Sequence, residues 1–380
     1  MPVFVGTGSD DFEAKSDRIG LPVETTDPAS PSTGDSYFNS TDGVIKVYDG
    51  TSWNPVGGGL PKFDIDDCFK SFEYQGNGTS QTFNVGFDCS QGCLILIDDR
   101  GNNQTWYADT ERGVNQLGYW SRQDGNNIAE SDSVTSFTST GFTVGSNLNV
   151  NYNGRRYQVN VFKKHKGFFD MVKYTGNGTA RLLAHNLGAP PAMVVYRIQV
   201  GTNTNQYHAS TGMNGITRFN PHLVEASNDY HTAYPTDTDL YLGGTTENNN
   251  NTQEFIAYLF GGAPAGSQDY PVVYGSYIGN GGGTANTIPT GGTQAQFIVF
   301  KRVGASCSGG GAQTRPGIYI DKNVIDQSPN FGSAIGWTSN TTTVSVSGQF
   351  TYNSTDIDIT GSDNTYNTLN EVYYYYCIGR

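Results

Sequence analysis

The chain has 380 residues, a net charge of −13, 49 glycines and 13% aromatic residues against only 15% charged ones. That length allows two or three domains. The acidity excludes a protein that grips phosphate backbones, which needs a basic face, and the aromatic content excludes a disordered chain. Tyr, Phe and Thr suit pleated half-buried surfaces, while Gly and Asn supply the positive φ of tight turns. Strong helix formers are sparse, so the expected fold class is all-β.

The N-terminal stretch Met1–Gly6 has no basic segment followed by an apolar core, so no signal peptide is expected. Residues 1–66 read as an attachment segment. A polar loop over 26–36 leads into Tyr37-Phe38-Asn39, a turn at Ser40–Gly43, the strand Val44–Tyr48, an Asp49-Gly50 hairpin turn and Trp53. A β-ribbon this small folds poorly alone. Tyr37, Phe38, Tyr48 and Trp53 are therefore the candidates for contact with a partner or with sister chains. Gly57-Gly58-Gly59 reads as a linker.

Three repeats follow, at 67–167, 168–264 and 265–380. Each opens on an aromatic-x-Gly-Asn-Gly turn: Tyr74-Gln75-Gly76-Asn77-Gly78, Tyr174-Thr175-Gly176-Asn177-Gly178 and Tyr277-Ile278-Gly279-Asn280-Gly281. An apolar run comes next in each: Leu94–Ile97, Met193–Tyr196 and Phe297–Phe300. Such continuous runs read as strands buried on both faces, and they are too short to span a bilayer. Alternating strands at Phe142–Val144, Leu240–Leu242 and Ile357–Ile359 turn Thr143, Tyr241 and Asp358 outward. Closing strands at Tyr157–Phe162, Phe255–Phe260 and Tyr373–Ile378 complete three β-sandwich (jelly-roll-like) repeats. The third diverges most, with a glycine-rich insert at Ser308–Gly311. The short connections favour repeats in fixed order over swinging domains. Helix is expected only in short pieces, such as His222–Asn228.

Chemistry-bearing motifs are weak. The basic cluster Lys163-Lys164-His165-Lys166 falls at a repeat junction and reads as a solvated linker. The acidic pairs Asp98/Asp99, Asp64/Asp66/Asp67, Asp237/Asp239 and Asp356/Asp358 do not recur between repeats, and turns explain them better than a hydrolytic pair or a calcium loop. The five histidines lack metal-ligand spacing. The five cysteines (Cys68, Cys89, Cys93, Cys307 and Cys377) are odd in number, with no second pair at zinc spacing; reduced thiols of a protein made in cytoplasm are expected. No catalytic residue, metal ligand or cofactor is assigned. Trp106, Tyr107, Trp120, Tyr207 and Trp337 fall in loop-like surroundings. Exposed rings there would stack on a sugar, although large aromatics are mostly buried.

The segment Gly34-Asp35-Ser36-Tyr37-Phe38-Asn39 with Ile45–Trp53 is similar to a short β-element near the N-termini of phage tail fibres and appendages. The repeats resemble units of large virion proteins of marine cyanophages and pelagiphages, best in the second: Tyr174–Thr179, then His185-Asn186-Leu187-Gly188-Ala189-Pro190-Pro191, then Met193–Arg197 and Tyr207-His208. The first repeat keeps Trp106-Tyr107 and Asp109–Gly113 but shows Asn84-Val85-Gly86 in place of the His-Asn-Leu-Gly segment. The resemblance implies a non-enzymatic structural component of a bacteriophage virion, a tail fibre or adhesion appendage contributing to host attachment. Capsid decoration or head fibre is the close alternative, and a lectin-like module or depolymerase the alternative of another class. The partners it implies are the chain itself, as a homotrimer, other virion proteins through the N-terminal segment, and a host surface glycan, with neither nucleic acid nor membrane.

Overall fold

A computed structural model of the chain describes residues 14–15, 18–19, 21–40, 44–48, 50–55, 63–101, 104–120, 128–199, 204–213, 215–218, 224–226, 230–265, 267, 270–302, 318–321, 333–336, 344–345, 350–362 and 366–380. The fold is all-β, in several sandwich-like sheets. It divides into two compact units, Met1–Leu60 and Pro61–Arg380. The first therefore stops short of residue 66, and the helical turn Ile65–Asp67 belongs to the second.

In the first unit, Val23–Glu24, Ser36–Asn39, Val44–Tyr48 and Trp53–Pro55 form a four-stranded sheet in chain order. Gly50 takes a φ of +102° in the turn before Trp53, a conformation other residues adopt at a cost.

The second unit holds three copies of one topology. In each, an opening strand (Phe69–Gln75, Phe169–Thr175, Val272–Ile278) pairs with a closing strand (Arg156–Lys163, Glu254–Phe260, Val372–Gly379). The closing strand also pairs with a central one (Cys93–Asp99, Met193–Ile198, Ala295–Arg302). Beyond the central strand the sheet continues as a meander. Its strands are Gln104–Asp109, Gln116–Tyr119 and Ile128–Ala129 in the first repeat, and Thr204–His208, Gly215–Arg218 and Val224–Ala226 in the second. In the third they are Ile318–Asp321, Ser333–Gly336 and Val344–Ser345. A smaller sheet, built on Gly141–Val144, Asp239–Leu242 or Asp356–Ile359, covers one face. Val224–Ala226 is thus a strand where a helix was expected, because it extends this meander; His222 and Asn228 lie outside the described residues. Among the described residues the α-helices are single turns, Leu148–Asn151 and Thr246–Asn249.

Both faces of each central strand are buried. Ile95 and Ile97 join Trp106, Phe142 and Val159 between the sheets of repeat one. Val194 and Tyr196 join Leu240 and Ala257 in repeat two. The opposite faces carry Leu94, Phe162, Met193, Phe260, Phe297 and Tyr376, all at 0–1% exposure. The other repeats cover them. Phe162 meets Phe260 at 5.5 Å and Phe297 at 5.8 Å between ring centroids, and Phe260 meets Tyr376 at 5.7 Å. Every repeat touches both others at this hub, within the range where aromatic pairs attract.

At the far end of the strands a second device recurs three times. Asn151, Asn249 and Asn367 are fully buried and each clamps the Gly-Asn-Gly turn of its own repeat. The side-chain oxygen accepts from the backbone N–H of Asn77, Asn177 or Asn280 at 2.9, 3.0 and 2.9 Å. The amide nitrogen donates to the carbonyl of Gly145, Gly243 or Gly361 at 2.7, 2.8 and 2.6 Å. The first glycine of each turn lies so close that a Cβ would sit 2.2, 2.1 and 2.1 Å from the oxygen of Tyr152, Asn250 or Thr368. Beside the clamp, Tyr74, Tyr174 and Tyr277 stack on Tyr157, Phe255 and Tyr373 at 5.0–5.4 Å.

Asn249→Ala leaves the Asn177 N–H and the carbonyls of Thr179 and Gly243 without that partner. The expected loss is on the order of 3 kcal/mol, read as a lower urea midpoint. Leu182→Ser, at a site 59% exposed, leaves the midpoint in place.

Candidate functional site

Two buried polar groupings of the second unit lie where repeats meet, around Tyr107 and around His208. Of the aromatic rings with a possible sugar-stacking role, Trp106, Tyr107 and Trp120 are at most 1% exposed and Tyr207 is 3% exposed. None of the four offers a face to solvent; Trp337 lies outside the described residues. Trp106 belongs to the core of repeat one and Tyr207 to that of repeat two. Tyr107 and Trp120 pack against Tyr258 of repeat two at 6.1 and 5.5 Å. The reason is topological: they stand in the meander of a sheet whose outer face the next repeat covers.

Around Tyr107 lies a buried ionic network that sequence reasoning did not find. Gly118, opposite Tyr107 on the neighbouring strand, gives the ring room, since a Cβ there would lie 2.2 Å from it. The Arg112 guanidinium carbon stands 3.7 Å from the Tyr107 ring centre and that of Arg197, from repeat two, 4.7 Å. Arg112 pairs with Asp109, whose carboxylate also accepts from the Tyr258 hydroxyl of repeat two at 2.8 Å. Arg197 donates to the Trp120 carbonyl at 2.7 Å. Burial opposes the charge on Arg112, yet Asp109 beside it lifts its pKa above the ordinary range. Burial, then the Asp109 charge, holds the Tyr258 hydroxyl protonated. Breaking such a desolvated pair costs more than making it gains.

The interface between repeats two and three turns on His208. Its ring stacks on Tyr374 at 4.1 Å. Nδ1 accepts from the Ser210 N–H at 3.2 Å, so Nε2 carries the hydrogen and donates to the Tyr375 carbonyl at 3.1 Å. Burial pushes the His208 pKa down to about 3, against the opposing pull of Tyr375. Inside repeat two, His231 donates from Nδ1 to the Met213 carbonyl and accepts at Nε2 from the Tyr196 hydroxyl at 2.7 Å. Burial takes its pKa down to about 4, opposed by Met213. His185, in the His-Asn-Leu-Gly segment, accepts the Leu187 N–H at 3.3 Å; burial lowers its pKa while Asp170 and Asp239 oppose.

Repeats one and three meet where Gln104–Asp109 packs on Ser333–Gly336. They meet again at a shallow groove lined by Ile65, Phe69, Ser71, Gln296 and Ile378, where Arg380 pairs with Asp66.

Members of the acidic pairs are engaged by other protein groups. Asp98 accepts from the Thr105 hydroxyl, and Asp99, on the other strand face, pairs with Arg155 at 2.7 Å. Asp64 caps the turn that carries Asp66 and Asp67. Thr238 donates to Asp239 at 2.6 Å, and Asn353 donates to both Asp356 and Asp358. Lys164 of the basic cluster is no free linker cation: it pairs with Glu111 at 2.8 Å and approaches Asp170 at 3.6 Å. Among the described residues no three His, Cys, Asp or Glu side chains group as metal ligands, and no helix is long and apolar enough to cross a membrane.

In the N-terminal unit the four candidate residues form a small core of their own. Tyr37, 1% exposed, meets Trp53 edge-on at 4.8 Å, and Tyr48 meets Trp53 at 5.6 Å, with Phe38 half-buried. The Tyr37 hydroxyl donates to Asp27, which also pairs with Lys46 at 2.7 Å. Those two hydrogen bonds, Lys46 first, hold Asp27 below the usual carboxylate range.

The fold and its interfaces define a class: an all-β protein of three like sandwiches joined by buried polar and aromatic contacts. Residues 64–310, well over half of the chain, match the family described as a domain of unknown function, DUF7483, and the chain belongs to that family. The match begins at the residue that caps the first helical turn and takes in all of repeats one and two. No curated protein matches the chain.

The unfolded chain protonates His208 and His231 near pH 6.5, whereas the folded chain keeps them neutral down to about 3 and 4. Their contribution to stability is complete above about pH 6.5 and drains as the pH falls below it, by up to about 1.4 kcal/mol per pH unit for each histidine. Urea midpoints taken stepwise between pH 7 and pH 4 check this. His208→Phe should lose about one proton's worth of the slope; parallel slopes for the variant and the parent would contradict it.

Proposed function

We propose that the chain is a structural component of a bacteriophage virion, a tail-fibre or adhesion-appendage subunit that contributes to host-surface attachment. The N-terminal unit serves as the anchor to other virion proteins, and the three-repeat unit is the displayed body. The observation that carries this reading is how the second unit spends its side chains. The outer sheet faces, the hydrogen bond from Tyr258 to the Arg112-paired Asp109, and the neutral His208 all serve to hold one repeat against the next. A body held that way is rigid, as a part that bears load at a particle surface must be. The likeness of residues 34–53 and of the second repeat to phage particle proteins supplies the context.

Three sandwiches that cover one another need no sister chain to bury their sheets. Self-association into a trimer therefore falls to the N-terminal unit in this proposal. A glycan receptor, if the body carries a site for one, is met by residues other than Trp106, Tyr107, Trp120 and Tyr207. A capsid decoration or head-fibre role uses the same anchor-and-body arrangement and differs only in where the anchor binds.

Cryo-electron microscopy of the intact particle tests the proposal by tracing this chain. The expected map places residues 1–60 against other virion proteins, in symmetric sets at the tail or collar, with the three-repeat unit displayed. Many copies on the capsid would replace attachment with decoration. Particles without the chain would overturn the virion role altogether.

A further inference from the structure

The sheet of the N-terminal unit has two faces of different character, and strand pairing assigns them. Tyr37 lies opposite Lys46, and Tyr48, two residues on, lies opposite Trp53, so these four share one face. The polar loop before Ser36–Asn39 covers that face. Asp27 takes both Tyr37 and Lys46, and the Pro28 carbonyl accepts from the Trp53 indole N–H at 3.2 Å. The other face stays open. Val23 lies opposite Phe38, and Phe38 opposite Ile45, so three apolar side chains form one row across three strands. Val47, two residues on from Ile45, stands beside the row. Val23 is 65% exposed and Ile45 38%, while Phe38 and Val47 are half-buried.

The row carries no charge. The charged residues of the sheet, Glu24 and Lys46, alternate onto the covered face. A basic or acidic partner therefore finds nothing there to pair with. A second copy of the chain fits better. At a net charge of −13 one copy repels another over most of its surface, and this face brings no like charges together. The sheet edges point the same way. One edge strand is two residues long, and the other ends in Pro55, which has no N–H to give. Neither invites a further strand, so copies meet through the face and not by extending the sheet. A sheet this small, packed on one side, is also marginal alone, and a sister's apolar row supplies the second side.

We propose that copies of the chain associate through this face, the Val23–Phe38–Ile45 row of one copy packing on the same row of a sister. The inference rests on the reading that self-association falls to the N-terminal unit, and it names the side chains that carry the contact. Of the four residues that the sequence marks for attachment, Phe38 alone takes part directly. Tyr37, Tyr48 and Trp53 hold the sheet from behind and do not meet the sister chain.

Sedimentation of the full chain, from nanomolar to high micromolar concentration, tests the contact. The parent is expected to form oligomers. Val23→Glu with Ile45→Glu should sediment as single chains, and Ile45→Thr, which keeps a β-branched side chain in the strand, should weaken association at least about tenfold. Leu182→Ser, in the second unit, should change nothing. A second measurement needs no loss of association. In a Cys307→Ser background, where Cys68, Cys89, Cys93 and Cys377 are all buried, Ile45→Cys should join two chains through a short bismaleimide much faster than Leu182→Cys. A parent that stays monomeric overturns the proposal, as does an oligomer that survives the double substitution or equal joining at the two cysteines. These outcomes leave the virion role standing on the particle map, and particles without the chain would end that role while leaving this contact to sedimentation.

Discussion

The constraint behind the three-repeat unit is that each large sheet has two apolar faces and only one small sheet to cover them. A sandwich built alone from Phe69–Lys163 would leave Leu94, Leu96 and Phe162 in water, and burying an aromatic or leucine side chain is worth about 1.5–3 kcal/mol. The second and third repeats carry the same surplus at Met193, Val195 and Phe260 and at Phe297, Val299 and Tyr376, all at most 1% exposed. Three such faces meeting at one hub satisfy one another. The short connectors follow from this: with the closing strand of one repeat ending at the hub and the opening strand of the next beginning there, few residues are needed between Phe162 and Phe169.

The hub fixes one end of each sandwich and the asparagine clamp fixes the other. A Gly-Asn-Gly turn costs conformational entropy to order, because glycine gives up more freedom than any other residue. In each repeat a buried amide that accepts from the turn and donates to the carbonyl of Gly145, Gly243 or Gly361 offsets that cost. The clamp residues themselves went unread in the sequence, although they leave a mark. Gly145, Gly243 and Gly361 each precede a clamp asparagine by six residues, and Tyr157, Phe255 and Tyr373 each follow it by six. A repeat sought only through its aromatic and apolar landmarks passes over a polar residue whose importance lies in being buried.

The rest of the fold was legible in proportion to how local its causes are. Turns, strand periods and the three-fold recurrence depend on neighbours in sequence and could be read from Tyr74, Tyr174 and Tyr277 onward. The fate of Tyr107 and Trp120 depends on a different repeat altogether, and their loop-like surroundings left a surface role open although large aromatics are mostly buried. A signal was nonetheless present. Once Leu94–Ile97 is taken as buried on both faces, the strand paired to it must be covered on both faces too, and that strand holds Trp106 and Tyr107. Arg197 and Asp109 gave no sequence cue, since their partners lie about 80 and 150 residues away.

Equivalent positions in the three repeats differ in chemistry where the repeats meet. Asp98, Arg197 and Lys301 occupy the same place on their central strands, and Asn160, Tyr258 and Tyr376 the same place on their closing strands. Three identical copies would bring three like charges to related buried sites, where an unpaired charge is costly. Covalent linkage removes that restriction. Arg197 reaches the Trp120 carbonyl, Tyr258 reaches Asp109, and Tyr376 donates to the Gly261 carbonyl at 3.0 Å instead of to a carboxylate. Each contact is complementary to one neighbour alone, so the order of the repeats around the hub is specified by chemistry as well as by the chain.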